Sequence, residues 1–422
     1  MKRAIILSLI FLAGCIQVPE TEYSCPGCNI LLITIDTVRA DHLQCYGYTK
    51  NTAPNICKIA EEGVLFEKAI SQASYTPFAL RAILTGKVIS NTEMEELHSF
   101  YNTTRHAAEE LRDAGYTTAA FTDHHGLVAP DWKGFESFTN IGKNRSSVTS
   151  HILNKQVINW LKNNSEKKFF LWVHYFDPHF NYNPLPEYEE MFGYSKETCG
   201  RIYNTMDIKE ITNMKNITKR ELDCIKALYD AEIYYTDKYV GELVGVLDEL
   251  GLKSKTLLII TADHGEEFLE HGRIGHALTL YTEVLHVPYV IRGPNIKPQR
   301  IKENTPTQSI FNIVQNKQYQ TGDIISRSYY RQKNKTDLQE YAMLSQNYHL
   351  IYLPERRQQF FDISTDPYEQ KNNPKHPEKE PMLDRLKKWI SDNWMNTTKL
   401  NDEQRAVQSE ADERLRSLGY VI

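Results

Sequence analysis

Thr256-Leu-Leu-Ile-Ile-Thr-Ala-Asp-His-Gly265 carries a strand-forming apolar run straight into an Asp-His-Gly. A continuous apolar run marks a parallel strand buried on both faces. Open α/β sheets place ligand chemistry just past the carboxyl ends of such strands. Asp263 and His264 therefore offer an oxygen and a nitrogen donor side by side at a sheet rim, a pair suited to a divalent metal. The plainer reading of the same decapeptide is a strand followed by an Asp/Gly turn.

A second stretch, Asn29-Ile-Leu-Leu-Ile-Thr-Ile-Asp36, also ends an apolar run in a carboxylate, and continues Thr-Val-Arg-Ala-Asp-His42. By itself Asp36 reads as a turn or helix N-cap residue. Two carboxylates so distant in sequence meet on one metal only if the sheet brings their strand ends together.

The 422 residues suffice for one large domain with a small appendage. With 41% hydrophobic and 24% charged residues the chain is of ordinary globular composition, and a net charge of -5 argues against nucleic acid as the main partner. Most of the 25 tyrosines are expected at core and strand positions.

Lys2-Arg3 followed by the apolar run Ala4–Gly14 reads as a targeting segment, too short to span a bilayer. It ends Leu12-Ala-Gly-Cys15, which resembles a prokaryotic lipobox. The expectation is an exported lipoprotein: a signal over 1–15, lipid on Cys15 holding the chain to the outer face of the cell membrane, and a tether over 16–28. Export permits disulfides; six cysteines allow about fifteen connectivities, of which local pairing, Cys25–Cys28, Cys45–Cys57 and Cys199–Cys224, is the simplest. Cys25-Pro-Gly-Cys28 stands in a linker without a second such motif, so a structural clasp is favoured over a redox or zinc site. Asn-x-Ser/Thr sequons start at Asn102, Asn144, Asn163, Asn216, Asn334 and Asn396, which suits a glycoprotein.

Helical patterns at about 55–62, 77–84, 105–113, 149–162 and 219–250 alternate with strand-like runs near 64–70, 116–121, 168–175, 256–261 and 287–291. Such alternation predicts an α/β fold, a mostly parallel sheet flanked by helices. Residues 181–217, rich in Asn, Tyr and Pro, read as a loop shaping the mouth of a site. Tyr341-Ala-Met-Leu and Tyr348–Leu353 read as a hairpin, followed by Phe360-Phe-Asp and by helices near 382–395 and 402–417.

In order and spacing the chain resembles the sulfatase family of the alkaline-phosphatase superfamily over about residues 29 to 375. The resemblance is carried by Ile33-Thr-Ile-Asp-Thr-Val-Arg-Ala-Asp-His-Leu43, Cys45-Tyr-Gly-Tyr48, Thr52-Ala-Pro-Asn55 and Leu84-Thr-Gly86. It continues through Phe170-Leu-Trp-Val-His-Tyr-Phe-Asp-Pro-His179, Tyr229-Asp-Ala-Glu-Ile233, Thr261-Ala-Asp-His-Gly-Glu266, Gly275-His276 and Phe361-Asp-Ile-Ser-Thr-Asp-Pro-Tyr-Glu369. It implies an alkaline-phosphatase-like catalytic domain over 29–320, and a C-terminal subdomain with an antiparallel sheet and terminal helices over 321–422.

The resemblance also implies an activity: metal-dependent hydrolysis of a sulfate or phosphate ester carried by a small molecule, glycan or lipid head group. The family's nucleophile is a formylglycine made in a Cys/Ser-x-Pro-x-Arg motif. Counting back from Thr85-Gly86 places Thr76 at the nucleophile, Phe78 at the proline and Leu80 at the arginine, with Arg81 one residue off. Thr is not a formylglycine precursor, but a hydroxyl activated by a divalent ion can attack. Phosphotransferases of the same superfamily use a metal-bound Thr in this way. The other reading of Thr76 is an N-cap, with Pro77 opening a helix.

In the commonest sulfatases the first strand ends in two Asp and the late strand in Asp-Asn. Here Thr37 follows Asp36 and His264 follows Asp263, a pattern similar to phosphonate monoester hydrolases. Asp36, Thr76, Asp263 and His264 would hold one ion, manganese or calcium, with zinc possible in so mixed a donor set. His179 matches the family's substrate-facing His and His276 the one that contacts the transferred group. His125 aligns with the His of the Gly-Lys-x-His segment, whose Lys position falls on Asp123. Arg39 and His42 are expected behind the ligands, with Asp41 structural. Two rival readings remain open: a phosphodiesterase or phosphotransferase with a Thr nucleophile, and an inactive sulfatase-like protein that only binds its anion.

Overall fold

The computed structural model describes residues 23, 25–88, 104–124, 126–127, 132–142, 149–202, 210–211, 214, 216–318, 322–328, 339–354 and 356–393. The expected signal with Cys15, His125, the 402–417 helix and the sequons at Asn102, Asn144, Asn334 and Asn396 lie outside them.

Fifteen strands are formed among the described residues: β1 Asn29–Ile35, β2 Val64–Ile70, β3 Thr117–Thr122, β4 Ser137–Asn140, β5 Phe169–Tyr175, β6 Thr256–Ala262, β7 Glu267–Phe268, β8 Ile274–Gly275, β9 His286–Val287, β10 Tyr289–Arg292, β11 Gln299–Pro306, β12 Ile324–Arg327, β13 Tyr341–Leu344, β14 Tyr348–Leu353 and β15 Arg357–Asp362. The main sheet runs β11-β2-β10-β6-β1-β5-β3-β4, with β9 beside β2. Its centre is parallel, and β10 runs antiparallel to both neighbours. Every residue of β1, β5 and β6 is buried, as unbroken apolar runs require. Flanking helices include α1 Pro54–Glu61, α2 Thr76–Thr85, α3 Ala107–Asp113, α4 Ser150–Asn164 and α5 Lys219–Glu249. The expected strand near 287–291 is split into β9 and β10, because Pro288 has no N–H for the ladder. β4 and β11 escaped the sequence reading; β4 is short and half-buried, and β11 is polar along most of its length, so neither gives an apolar run.

The pair β1/β6 is in register from Asn29↔Thr256 to Ile35↔Ala262, so Asp36 and Asp263 leave the sheet side by side. Their backbones extend the ladder one step further: Asp36 N–H donates to Tyr175 O at 2.8 Å and Asp263 N–H to Ile35 O at 3.3 Å.

A second, antiparallel sheet has the order β12-β13-β14-β15. Period-two alternation sends Ala342, Leu344, Ile351 and Phe361 to one face, against Leu280, Tyr281, Val284 and Leu285 of the main body. Met343, Leu350 and Phe360 face the other way, onto Met382, Leu383 and Leu386 of α6 Lys379–Asp392. Among the described residues no helix is long and apolar enough to cross a membrane. Cys25–Cys28, Cys45–Cys57 and Cys199–Cys224 are paired, as local pairing predicts.

Glu369, at the end of the Phe361–Glu369 motif, joins the two sheets. Its buried carboxylate accepts from Thr282 N–H at 2.9 Å and Thr282 Oγ1 at 2.8 Å, and meets His349 Nδ1 on β14. Burial raises its pKa, but the His349 ring and the Thr282 bonds outweigh that and hold it below the usual carboxylate value. A depressed native pKa contributes stability that is complete above the unfolded value and is lost as pH falls through the native one. Glu369→Gln is expected to cost about 3 kcal/mol at neutral pH. Denaturant titrations should show the difference from wild type shrinking toward acid; an equal difference at every pH contradicts the assignment.

Candidate metal centre and nucleophile

Ligand atoms of Asp36, Asp263 and His264 lie within 4.8 Å of one another, all fully buried. Asp263 Oδ1 is occupied by backbone, accepting from Thr37 N–H at 3.1 Å and His264 N–H at 2.8 Å. Asp263 Oδ2 accepts no hydrogen bond among the described residues and faces His264 Nε2 at 3.5 Å. A buried carboxylate oxygen in that state is costly unless a cation completes it.

The imidazole of His264 is set for the same ion. Its Nδ1 lies 3.0 Å from the Gly265 carbonyl, which only accepts, so Nδ1 carries the hydrogen and Nε2 presents a lone pair. Gly265 is required here: a Cβ would lie 2.2 Å from the Glu283 carbonyl oxygen. Two carboxylates and a bare imidazole nitrogen fit a divalent ion of the manganese, calcium or zinc type.

Thr76 completes the cluster. Its Oγ1 donates to His264 Nε2 at 3.1 Å. It is not the N-cap of α2: Tyr75 holds that position, and no side chain caps the helix. The cap reading is therefore corrected, because the hydroxyl turns into the site instead of back onto its own helix. The α2 N-terminus also directs its positive dipole end there. The loop before Thr76 is clamped: Ala277 N–H donates to Ser74 O at 2.7 Å, and Arg327 of β12 bonds the backbone of Gln72 and Ser74.

Thr37, where a second Asp is usual, gives the ion nothing. It adopts φ 56°, and its Oγ1 donates to Pro178 O at 2.9 Å, pinning the Asp177-Pro178-His179 turn. Asp177 caps α4 through Thr149 N–H at 2.7 Å and Ser150 N–H at 2.9 Å. His179 is thereby fixed above the site, its Nδ1 on Phe180 O at 2.6 Å and its ring 4.9 Å from that of His276. The His276 ring lies 4.5 Å from that of His264, with Nδ1 2.9 Å from Glu266 Oε1. Burial drives the His276 pKa well below and the Glu266 pKa well above their usual values.

His125 lies outside the described residues; its neighbour His124, which the sequence reading did not single out, stands at the site, with Nε2 3.9 Å from Asp36 Oδ2. Gly126 N–H donates to His124 Nδ1 at 2.9 Å, so the neutral ring offers Nε2–H to a substrate oxygen. His174, inside β5, was missed altogether; its signal was an imidazole in an otherwise apolar buried strand. Its Nε2 is 3.4 Å from Asp36 Oδ2, and burial lowers its pKa.

Arg39, His42 and Asp41 act as bracing. Arg39 holds Asp41 at 2.7 Å and Glu270 at 2.8 Å and donates to Glu266 O at 3.0 Å. His42 donates to buried Asp230 at 2.7 Å, and Tyr229 OH to Thr37 O at 2.6 Å. The Arg81 guanidinium carbon lies 5.7 Å from the centroid of the Trp132 ring.

The Sulfatase family model matches residues 28–312. The chain belongs to the sulfatase family. It is similar to N-acetylglucosamine-6-O-sulfatase of Bacteroides thetaiotaomicron, 22% identical over 68% of this chain and 66% of that one. Iduronate 2-sulfatase of Homo sapiens is 23% identical over 68% and 64%. Arylsulfatase K of Bos taurus is 30% identical over 38% and 33%, so the chain spans a third to two thirds of these relatives' length. Among solved structures, phosphonate monoester hydrolase of Agrobacterium radiobacter has the same fold, with TM-score 0.70 and 16% identity over 89% and 98% of the two chains. A protein solved with its substrate D-glucosamine-2-N,6-O-disulfate gives TM-score 0.69 and 18% identity over 87% and 98%.

Asp263→Ala is expected to weaken binding of manganese by at least about 100-fold. Isothermal titration of the purified protein measures it, and unchanged affinity contradicts the assignment of this cluster.

Proposed function

We propose that this sulfatase-family hydrolase is an exported, metal-dependent enzyme that cleaves a sulfate or phosphate ester of a glycan, lipid head group or small molecule, with Thr76 as nucleophile. The contact of Thr76 Oγ1 with His264 Nε2 beside Asp36 and Asp263 carries this reading. Asp36, Asp263, His264 and Thr76 would hold a divalent ion, which would lower the hydroxyl pKa and offset charge on the transferred group. Thr76 Oγ1, its proton given up to solvent water, attacks sulfur or phosphorus in line, forming a bond to it as the bond to the ester oxygen breaks. His124 Nε2–H donates to an equatorial oxygen. His179 or His276 delivers a proton to the leaving oxygen, and water then cleaves the Thr76 ester.

Phosphoryl transfer is favoured within this reading. A threonine ester lacks the second hydroxyl through which a formylglycine hydrate expels sulfate, so release depends on attack by water. The same donor set with a Thr nucleophile suits a phosphodiester or phosphonate ester. Sulfated substrates of the relatives favour the sulfate alternative.

Thr76→Ala is expected to lower kcat by about a thousandfold or more while the protein still binds manganese. Aryl sulfate, aryl phosphate and bis-aryl phosphodiester assayed side by side with manganese, calcium or zinc decide the chemistry. Turnover that survives Thr76→Ala rejects the nucleophile; silence on all three favours the binding-only reading.

Anchoring through lipidated Cys15 rests on Leu12-Ala-Gly-Cys15, and the disulfide pairs support an oxidising compartment. Cys15→Ser is expected to move the protein from the membrane to the soluble fraction on cell fractionation.

A further inference from the structure

Trp172 and His174 share one face of β5, and Thr34 and Asp36 share one face of β1. The register pairs Thr34 with His174. Trp172 Nε1–H donates to Thr34 Oγ1 at 2.9 Å, and an indole N–H can only donate. The same Oγ1 lies 2.9 Å from His174 Nδ1. The hydroxyl has one hydrogen, and among the described residues Nδ1 is the acceptor it reaches. If Nδ1 carried the hydrogen instead, the buried Thr34 hydroxyl would donate to nothing, a costly state. The neutral ring therefore bears its hydrogen on Nε2.

That Nε2 faces Asp36 Oδ2 at 3.4 Å, while Asp36 Oδ1 faces His264 Nε2 at 3.9 Å. The carboxylate is thus divided, one oxygen toward His264 and the other toward His174. His124 Nε2 is more distant from Oδ2, at 3.9 Å, and its ring packs on Phe176 and His179. With Thr37 turned away to Pro178, β1 supplies a single carboxylate, so its orientation matters more than in a two-carboxylate site.

We propose that His174 is a positioning residue for Asp36: its Nε2–H, set by the Trp172–Thr34 pair, attracts Oδ2 across 3.4 Å and so favours the orientation in which Oδ1 faces the divalent ion. The inference rests on Asp36, Asp263 and His264 holding that ion. At 3.4 Å the contact is an electrostatic approach between two buried groups rather than a formed hydrogen bond, and groups that orient a metal's ligands from behind commonly govern its affinity.

The test is calorimetric titration of manganese into the purified wild type, His174→Leu, His174→Gln and Thr34→Val. His174→Leu is expected to weaken binding about 10- to 100-fold. His174→Gln, whose amide N–H can reach the same oxygen, is expected within about threefold of wild type, with Thr34→Val between the two. Unchanged affinity in His174→Leu, or no recovery in His174→Gln, overturns the proposal and leaves the metal assignment standing. Absence of manganese binding by the wild type overturns both. Nitrogen NMR of the wild-type imidazoles tests the tautomer without any substitution: hydrogen on Nε2 of His174 is expected, and hydrogen on Nδ1 overturns the proposal.

Discussion

The parallel pairing of β1 with β6 is the constraint on which the site depends. Seven residues of each strand lie in unbroken register, and the first residue beyond each is an aspartate. A slip of one residue would turn one carboxylate to the other face of the sheet. Burial on both faces prevents it, because every side chain of these strands gains from its present side. The backbone continues the restraint past the strand ends, with Thr37 and His264 N–H groups both directed at Asp263 Oδ1.

Residues around this pair arrive from separate elements, and each is held by a partner that also decides its hydrogen. Gly265 O leaves His264 Nε2 bare, whereas Gly126 N–H leaves His124 with Nε2–H. One imidazole is thereby suited to a cation and the other to an anionic oxygen, although both stand beside Asp36. Thr76 enters at the start of α2, where the family's aldehyde-bearing residue would stand, and keeps a hydroxyl aimed at His264. The formylglycine motif's Pro and Arg positions hold Phe78 and Leu80, while a hydroxyl remains at position 76.

The second sheet is more than an appendage. Arg327 of β12 bonds the backbone on both sides of Ala73, three residues before Thr76, and Ser326 Oγ donates to Ser71 O at 2.6 Å. Ser71 Oγ in turn donates to Asp263 O. Packing of the small sheet is therefore coupled to the position of the nucleophile loop, and Glu369 locks the two together through Thr282 and His349.

Asp36, Asp263 and His264 were legible in the chain because an apolar run ending in a polar donor encodes both a buried strand and its rim. Thr76, His179 and His276 were legible through motif spacing, which survives where local patterning is silent. The α/β alternation and the C-terminal hairpin followed from hydrophobic period alone. The presence of His124 beside Asp36, the turning of Thr37 to Pro178, and the placement of His174 and Glu266 around the cluster were visible only in three dimensions. Periodicity reports which face of an element is buried, a local property of the backbone. The partner that fixes a side chain's rotamer and hydrogen comes from another strand or loop, and tertiary packing alone supplies it.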